Sequence, residues 1–107
     1  MKYKDLVKEI EELDIPSIYH HYEKKEIPPL PYLIHLRTNR DDMSADNLNY
    51  FKSHGAAIEL YSLAVDPENE NKIETMLERL GLFYETDEEI FIEESRMYLK
   101  RYEFYIK

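Results

Sequence analysis

The 107-residue chain has no cysteine, no tryptophan and two glycines. The absence of cysteine excludes disulfides, thiol nucleophiles and cysteine-based zinc sites. Gly55 and Gly81 alone cannot build a glycine-rich phosphate loop. No apolar run reaches the roughly 18 residues that a membrane-spanning helix needs. Bases are also scarce: 14 Lys and Arg stand against 23 Asp and Glu, a formal charge of −9. That balance argues against general nucleic-acid binding, which needs a basic face to displace counterions. Lys24–Lys25, Arg37 with Arg40, and Lys100–Arg101 are short basic groups with acids nearby, and read as solvated surface charge.

Residues that are 43% hydrophobic and 35% charged can form one modest core in a single domain, 1–107. The chain is too apolar and too aromatic for compositional disorder. Its opening, MKYKDLVKEIEEL, is amphipathic and acidic rather than a signal peptide. Tyr3, Leu6, Val7, Ile10 and Leu13 recur at spacings of three and four, which predicts a helix over Lys2 to Leu13. Asp14-Ile15-Pro16 ends it. Ile18 to Tyr22 reads as a short extended piece, and Lys24 to Pro31 as a connector from which Pro28, Pro29 and Pro31 exclude a central strand.

Tyr32 to Arg37 alternates, with Tyr32, Ile34 and Leu36 expected inward and His35 and Arg37 outward. Thr38 to Asp46 reads as a polar loop. Asn47 to Ser53 and Ala56 to Val65 read as two strands around His54-Gly55; in the second, Ile58 and Leu60 share one face, Glu59 and Tyr61 the other. Asp66-Pro67 is the sharpest local signal, a favoured N-cap followed by a favoured first helical residue. With Ile73, Met76, Leu77 and Leu80 on one stripe and Gly81 behind them, it predicts a helix from Pro67 to Leu80. Leu82 to Glu85 and Ile90 to Glu93 read as a hairpin about Thr86-Asp87-Glu88. A last strand runs from Met97 to Ile106, with Tyr102, Phe104 and Ile106 on one face. The expected order is α-β-β-β-β-α-β-β-β. It implies an α+β two-layer sandwich, a mostly antiparallel sheet with two helices packed on one face.

Few residue groups point to chemistry. His20-His21-Tyr22-Glu23 has metal-ligand types, but strand neighbours point to opposite faces, so one packed and one solvated histidine is expected. Asp41, Asp42 and Asp46 lack the ligand alternation of a calcium loop. No serine lies in GxSxG or SxxK. No catalytic, cofactor-binding or metal-ligating residue is therefore assigned. Glu85, Asp87, Glu88, Glu89, Glu93 and Glu94 form an acidic block without a base. Ten tyrosines suit half-exposed sheet faces and interfaces; Tyr61, Tyr98 and Tyr105 are expected on outer strand faces, as candidates for a subunit contact.

Several stretches resemble, in order, a small family from tailed phages and prophages of Gram-positive bacteria. They are Ile15-Pro16 through His20-His21-Tyr22, Pro29-Leu30-Pro31-Tyr32, Ala45-Asp46-Asn47 with Tyr50, Ile58-Glu59-Leu60-Tyr61, Phe83-Tyr84-Glu85, and Ile92-Glu93-Glu94-Ser95. The similarity covers nearly the whole chain and is to the tail terminator, or tail completion, group at the head–tail junction. The chain departs from the family's pattern at Phe51 to Ala57, where His54-Gly55 is more hairpin-like. The resemblance implies a small α+β virion subunit without catalytic residues or cofactor. Such subunits form a ring, commonly a hexamer, that stops growth of the tail tube and docks the head connector. Its partners would be copies of itself, the tube protein and connector proteins, with DNA passing through but not bound specifically and no membrane. Its place would be the virion neck, and the host cytoplasm before assembly. Part of the acidic block would then face the lumen and repel phosphate. Arg40, Asp41, Asp42 and Asp46 would lie in a loop that contacts tube or connector. Other readings are a head-closure or minor capsid protein, or an acidic protein that regulates a basic partner.

Overall fold

The apolar stripe of the first residues does form a helix, α1 (Tyr3–Glu11), with Leu6 and Ile10 buried. Its first turn is held by Asp5, whose carboxylate accepts from the Lys2 backbone N–H at 3.1 Å. Asp14, at φ 62°, turns the chain away before Pro16. In this computed structural model the described residues are 1–38 and 54–106. They comprise α1, β1 (Ser17–Tyr19), a single 3-10 turn (Lys24–Glu26), β2 (Tyr32–Thr38), β3 (His54–Ser62), α2 (Pro67–Arg79), β4 (Tyr84–Thr86), β5 (Ile90–Ile92) and β6 (Met97–Ile106). The expected strand Asn47 to Ser53 lies outside them.

The architecture is α+β: among the described residues six strands form one sheet, ordered β1-β2-β3-β6-β4, with β5 also on β6. All pairings are antiparallel except β1 with β2. The parallel pair is possible because the 12 residues 20–31 are long enough to return the chain to the end at which β1 began. Both helices cover the same face. Leu6 and Ile10 of α1 and Ile73, Met76 and Leu77 of α2 pack on Leu33, Ala56, Ile58, Leu60, Tyr102, Phe104 and Ile106.

α2 is built as its sequence predicts. Asp66 accepts from the Asn69 backbone N–H at 3.3 Å, and Pro67 occupies the first helical position. At the other end Gly81 takes φ +72°; its N–H reaches the Glu78 carbonyl at 3.0 Å, and Leu82 N–H reaches Leu77 at 2.9 Å. Those two bonds satisfy carbonyls that would otherwise lack partners at the helix end.

Three strand readings change. First, β2 faces the other way: Leu33 and His35 lie under the helices, and Ile34 pairs with Glu59 across the sheet. Its even positions, Tyr32, Ile34 and Leu36, are more apolar than Leu33, His35 and Arg37, so its own alternation points the wrong way. Its neighbour decides, since β3 must put Ile58 and Leu60 inward, and a one-residue slip would expose them. Second, His54 and Gly55 are strand residues of β3, paired with Ile106 and Tyr105, while β3 ends at Ser62 rather than Val65. Third, β4 and β5 do not form a hairpin with each other. Both lie on β6, Thr86 beside Tyr102 and Ile90 beside Leu99. They are two lengths of one edge strand broken by a bulge at residues 87–89. The true hairpin joins β5 to β6 through residues 93–96, where Arg96 takes φ 53°.

Candidate assembly surfaces

The sheet face away from the helices carries an aromatic stack and a charge ladder. Tyr22 meets Tyr32 edge-on at 5.2 Å, and Tyr32 stacks on Tyr61 at 5.2 Å with 23° between planes. The Tyr61 hydroxyl donates to Glu59 at 2.9 Å. Burial, then the bonded carboxylate, pushes the Tyr61 phenol well above its ordinary range, so it remains a donor. Arg101, the register partner of Glu59, bonds that carboxylate and also donates to Glu103 at 2.8 Å. An arginine flanked by two carboxylates on a partly buried face is held in one geometry.

The three candidate interface tyrosines do not form one row. Tyr61 and Tyr105 share this face, but Tyr61 is level with Leu99 and Tyr105 with Gly55, at opposite ends. Tyr98 lies on the helix side of the sheet, where its ring meets Phe91 at 5.1 Å. The prediction failed for Tyr98 because β6 switches inward at even numbers, the parity of Tyr102 and Phe104.

The acidic block lies along the β4–β5 edge. Glu85, Asp87, Glu88, Glu93 and Glu94 are exposed and Glu89 is half-buried. Among them stand apolar side chains that sequence reasoning did not single out: Phe83, 91% exposed, Ile90, 53%, and Phe91, 40%. Arg96 covers part of Phe91, with its guanidinium carbon 5.5 Å from the ring centre. The acidic field extends onto α2. Burial raises the Glu70 carboxyl; Lys100 opposes that shift, and Glu89, Glu74 and Asp66 add to it.

The opposite end of the sheet carries a groove between α1 and the β1 edge. Its lining includes Tyr3, Lys4, Val7 and Lys8 from α1, Ile18 and Tyr19 from β1, and His35 and Arg37 from β2. His35 is 4% exposed, and its Nδ1 lies 2.8 Å from the Tyr3 hydroxyl. Burial lowers the His35 pKa, with Glu11 opposing, and burial raises that of Tyr3. A neutral imidazole accepting from a protonated phenol satisfies both, which is how a histidine sits on the core side of β2. At the rim, Arg37 lowers the Tyr19 phenol by donating a hydrogen bond.

His20 and His21 are both exposed, not one packed and one solvated. The expectation assumed a regular strand, whereas His20 takes φ 70° and the two Nδ1 atoms come within 3.0 Å. His21 Nε2 lies 3.3 Å from Glu23. Among the described residues no group of three or more His, Asp or Glu is placed to hold a metal. Arg40, Asp41, Asp42 and Asp46 lie outside the described residues. No protein-family model, no curated protein and no solved structure matches the chain.

Proposed function

We propose that the chain is a phage or prophage virion subunit of the head–tail junction. In this reading it is a tail terminator that forms a ring on the tail tube and offers a docking face to the head connector. The motif order given above supports the virion assignment. The observation that carries the assembly reading is the pair of unlike sheet edges. Among the described residues, β1 and the β4–β5 line each have a strand on one side only. Exposed strand edges are templates for pairing with another chain, and natural monomers blunt them. Here one edge carries Phe83, Ile90 and Phe91 in the open. A ring needs two different complementary surfaces on each subunit, which two unlike edges provide.

No catalytic step belongs to this function, and its work is done by surfaces. Glu93 and Glu94, at the tip of the β5–β6 hairpin, are the part of the acidic block assigned to the lumen, where negative charge keeps DNA from adhering in transit. The test is mass measurement across protein concentration, alone and with tail tubes, followed by electron microscopy. Closed rings with a central channel are expected. A chain that stays monomeric under all these conditions overturns the ring. Rings that carry every one of these acids on the outer rim remove the lumen assignment.

A further inference from the structure

The two ends of the sheet are complementary in charge, in surface character and in strand geometry. The groove at the α1–β1 end has Lys4 and Lys8 one helical turn apart on exposed positions of α1, and Arg37 across from them on β2. Glu11 is the one acid in its lining among the described residues. Among the described residues, no carboxylate forms an ion pair with Lys4 or Lys8. Its lining also includes the apolar Val7 and Ile18, and Tyr19, which shares the helix-side face with His35, is 42% exposed at the rim. Among the described residues, β1 itself is an edge strand with backbone directed outward.

The β4–β5 edge has the converse character. Asp87, Glu88 and Glu89 occupy the bulge, Ile90 and Phe91 follow directly, and no base interrupts them. The bulge breaks the edge's pairing to β6 and sets the acids proud of the strand.

We propose that the β4–β5 edge of one subunit docks in the α1–β1 groove of the next copy of this chain, Asp87 and Glu88 meeting Lys4 and Lys8 while Phe91, which lies on the helix side with Tyr98, covers Val7 and Tyr19. The inference rests on the ring reading and deepens it by naming the two faces. Because the surfaces differ and sit at opposite ends of one sheet, the contact is head-to-tail and propagates from copy to copy. The second copy is the occupant because the same chain carries both halves of the complement. The acids supply register and encounter rate, and Phe91 supplies the desolvated centre.

The experiment uses charge reversal in the full chain. One variant is Lys4→Glu with Lys8→Glu, and the other is Asp87→Lys with Glu88→Lys. Each alone places like charges across the joint, and self-association should weaken by about tenfold or more. A 1:1 mixture of the two variants should regain it, since each then offers what the other lacks. A single chain carrying all four changes should regain it as well. A second measurement does not depend on weakened binding. The chain lacks cysteine, so Lys8→Cys with Glu88→Cys in one chain should oxidise to a ladder of multimers, whereas either change alone sets no second thiol at the joint and should not cross-link there. If the wild type assembles and neither the reversals nor the cysteine pair has these effects, the docking is wrong and the ring reading stands. If the wild type never assembles, both fall.

Discussion

At the scale of single residues, buried polar groups are tolerated where a partner is built in, and each such pair has a measurable signature. His35 is neutral because charging it beneath α1 would forfeit its hydration. Its folded pKa lies below the ordinary value near 6.5, so the unfolded chain binds the proton more readily. Stability should therefore be flat above about pH 7 and decline as pH falls through about 6.5 toward the folded pKa. Urea midpoints measured between about pH 5 and pH 8 should show that slope in the wild type and a reduced one in His35→Gln. An unchanged slope would assign it to other groups. Tyr102 is a second case: its ring is fully buried, and its hydroxyl donates to Glu74 at 2.7 Å. Tyr102→Phe should cost about 1.5–3 kcal/mol, the range for a hydrogen bond to a charged group, and a melt within error of wild type would contradict that bond. Neither pair was legible in the sequence. His35 was expected outward because a lone imidazole in an alternating strand carries no mark of the hydroxyl, 32 positions away, that satisfies it.

At the scale of elements, legibility follows how local the determining physics is. α2 was readable end to end because an N-cap, a first-turn proline, an apolar stripe and a terminal glycine all lie within its own sequence. Asp66→Ala should cost about 0.5–2 kcal/mol by leaving the Asn69 N–H without its acceptor. Leu77→Ala, at a fully buried site, should cost about 2–5 kcal/mol. Gly81→Ala tests conformation alone. A methyl there meets nothing within 4 Å, so the expected loss of about 1–2 kcal/mol comes from the left-handed backbone. Thermal melts of the three should rank Leu77→Ala lowest; a melt of that variant unchanged from wild type would remove the helix from the core. The β4–β5 line was misread for the opposite reason. Turn-forming residues at 86–88 suit a hairpin locally, and only pairing to β6, remote in sequence, turns them into a bulge.

At the scale of the whole molecule, composition gives the net charge but not its direction. Residues 1–38 carry six bases against seven acids, a net of −1, whereas residues 54–107 carry six against thirteen, a net of −7. The fold places the first set at the α1–β1 end and gathers much of the second along α2 and the β4–β5 edge. On the proposed docking, two copies would therefore repel as bodies while attracting at a correctly aligned joint. Distance decides which effect dominates. Bodies with extents of 44 × 27 × 27 Å keep their centres far apart in contact. A Debye length of about 30 Å at 0.01 M salt lets that repulsion act, and about 8 Å at 0.15 M removes most of it. Side chains paired across the proposed joint would lie well inside 8 Å and be screened only as salt approaches about 1 M, where the length is about 3 Å. Self-association should accordingly pass through a maximum near roughly 0.1–0.2 M salt and weaken on either side. Sedimentation of the wild type across that range measures it directly. A monotonic strengthening up to 1 M would mean that Phe83, Ile90 and Phe91 drive the contact through apolar burial and that the acids only oppose it.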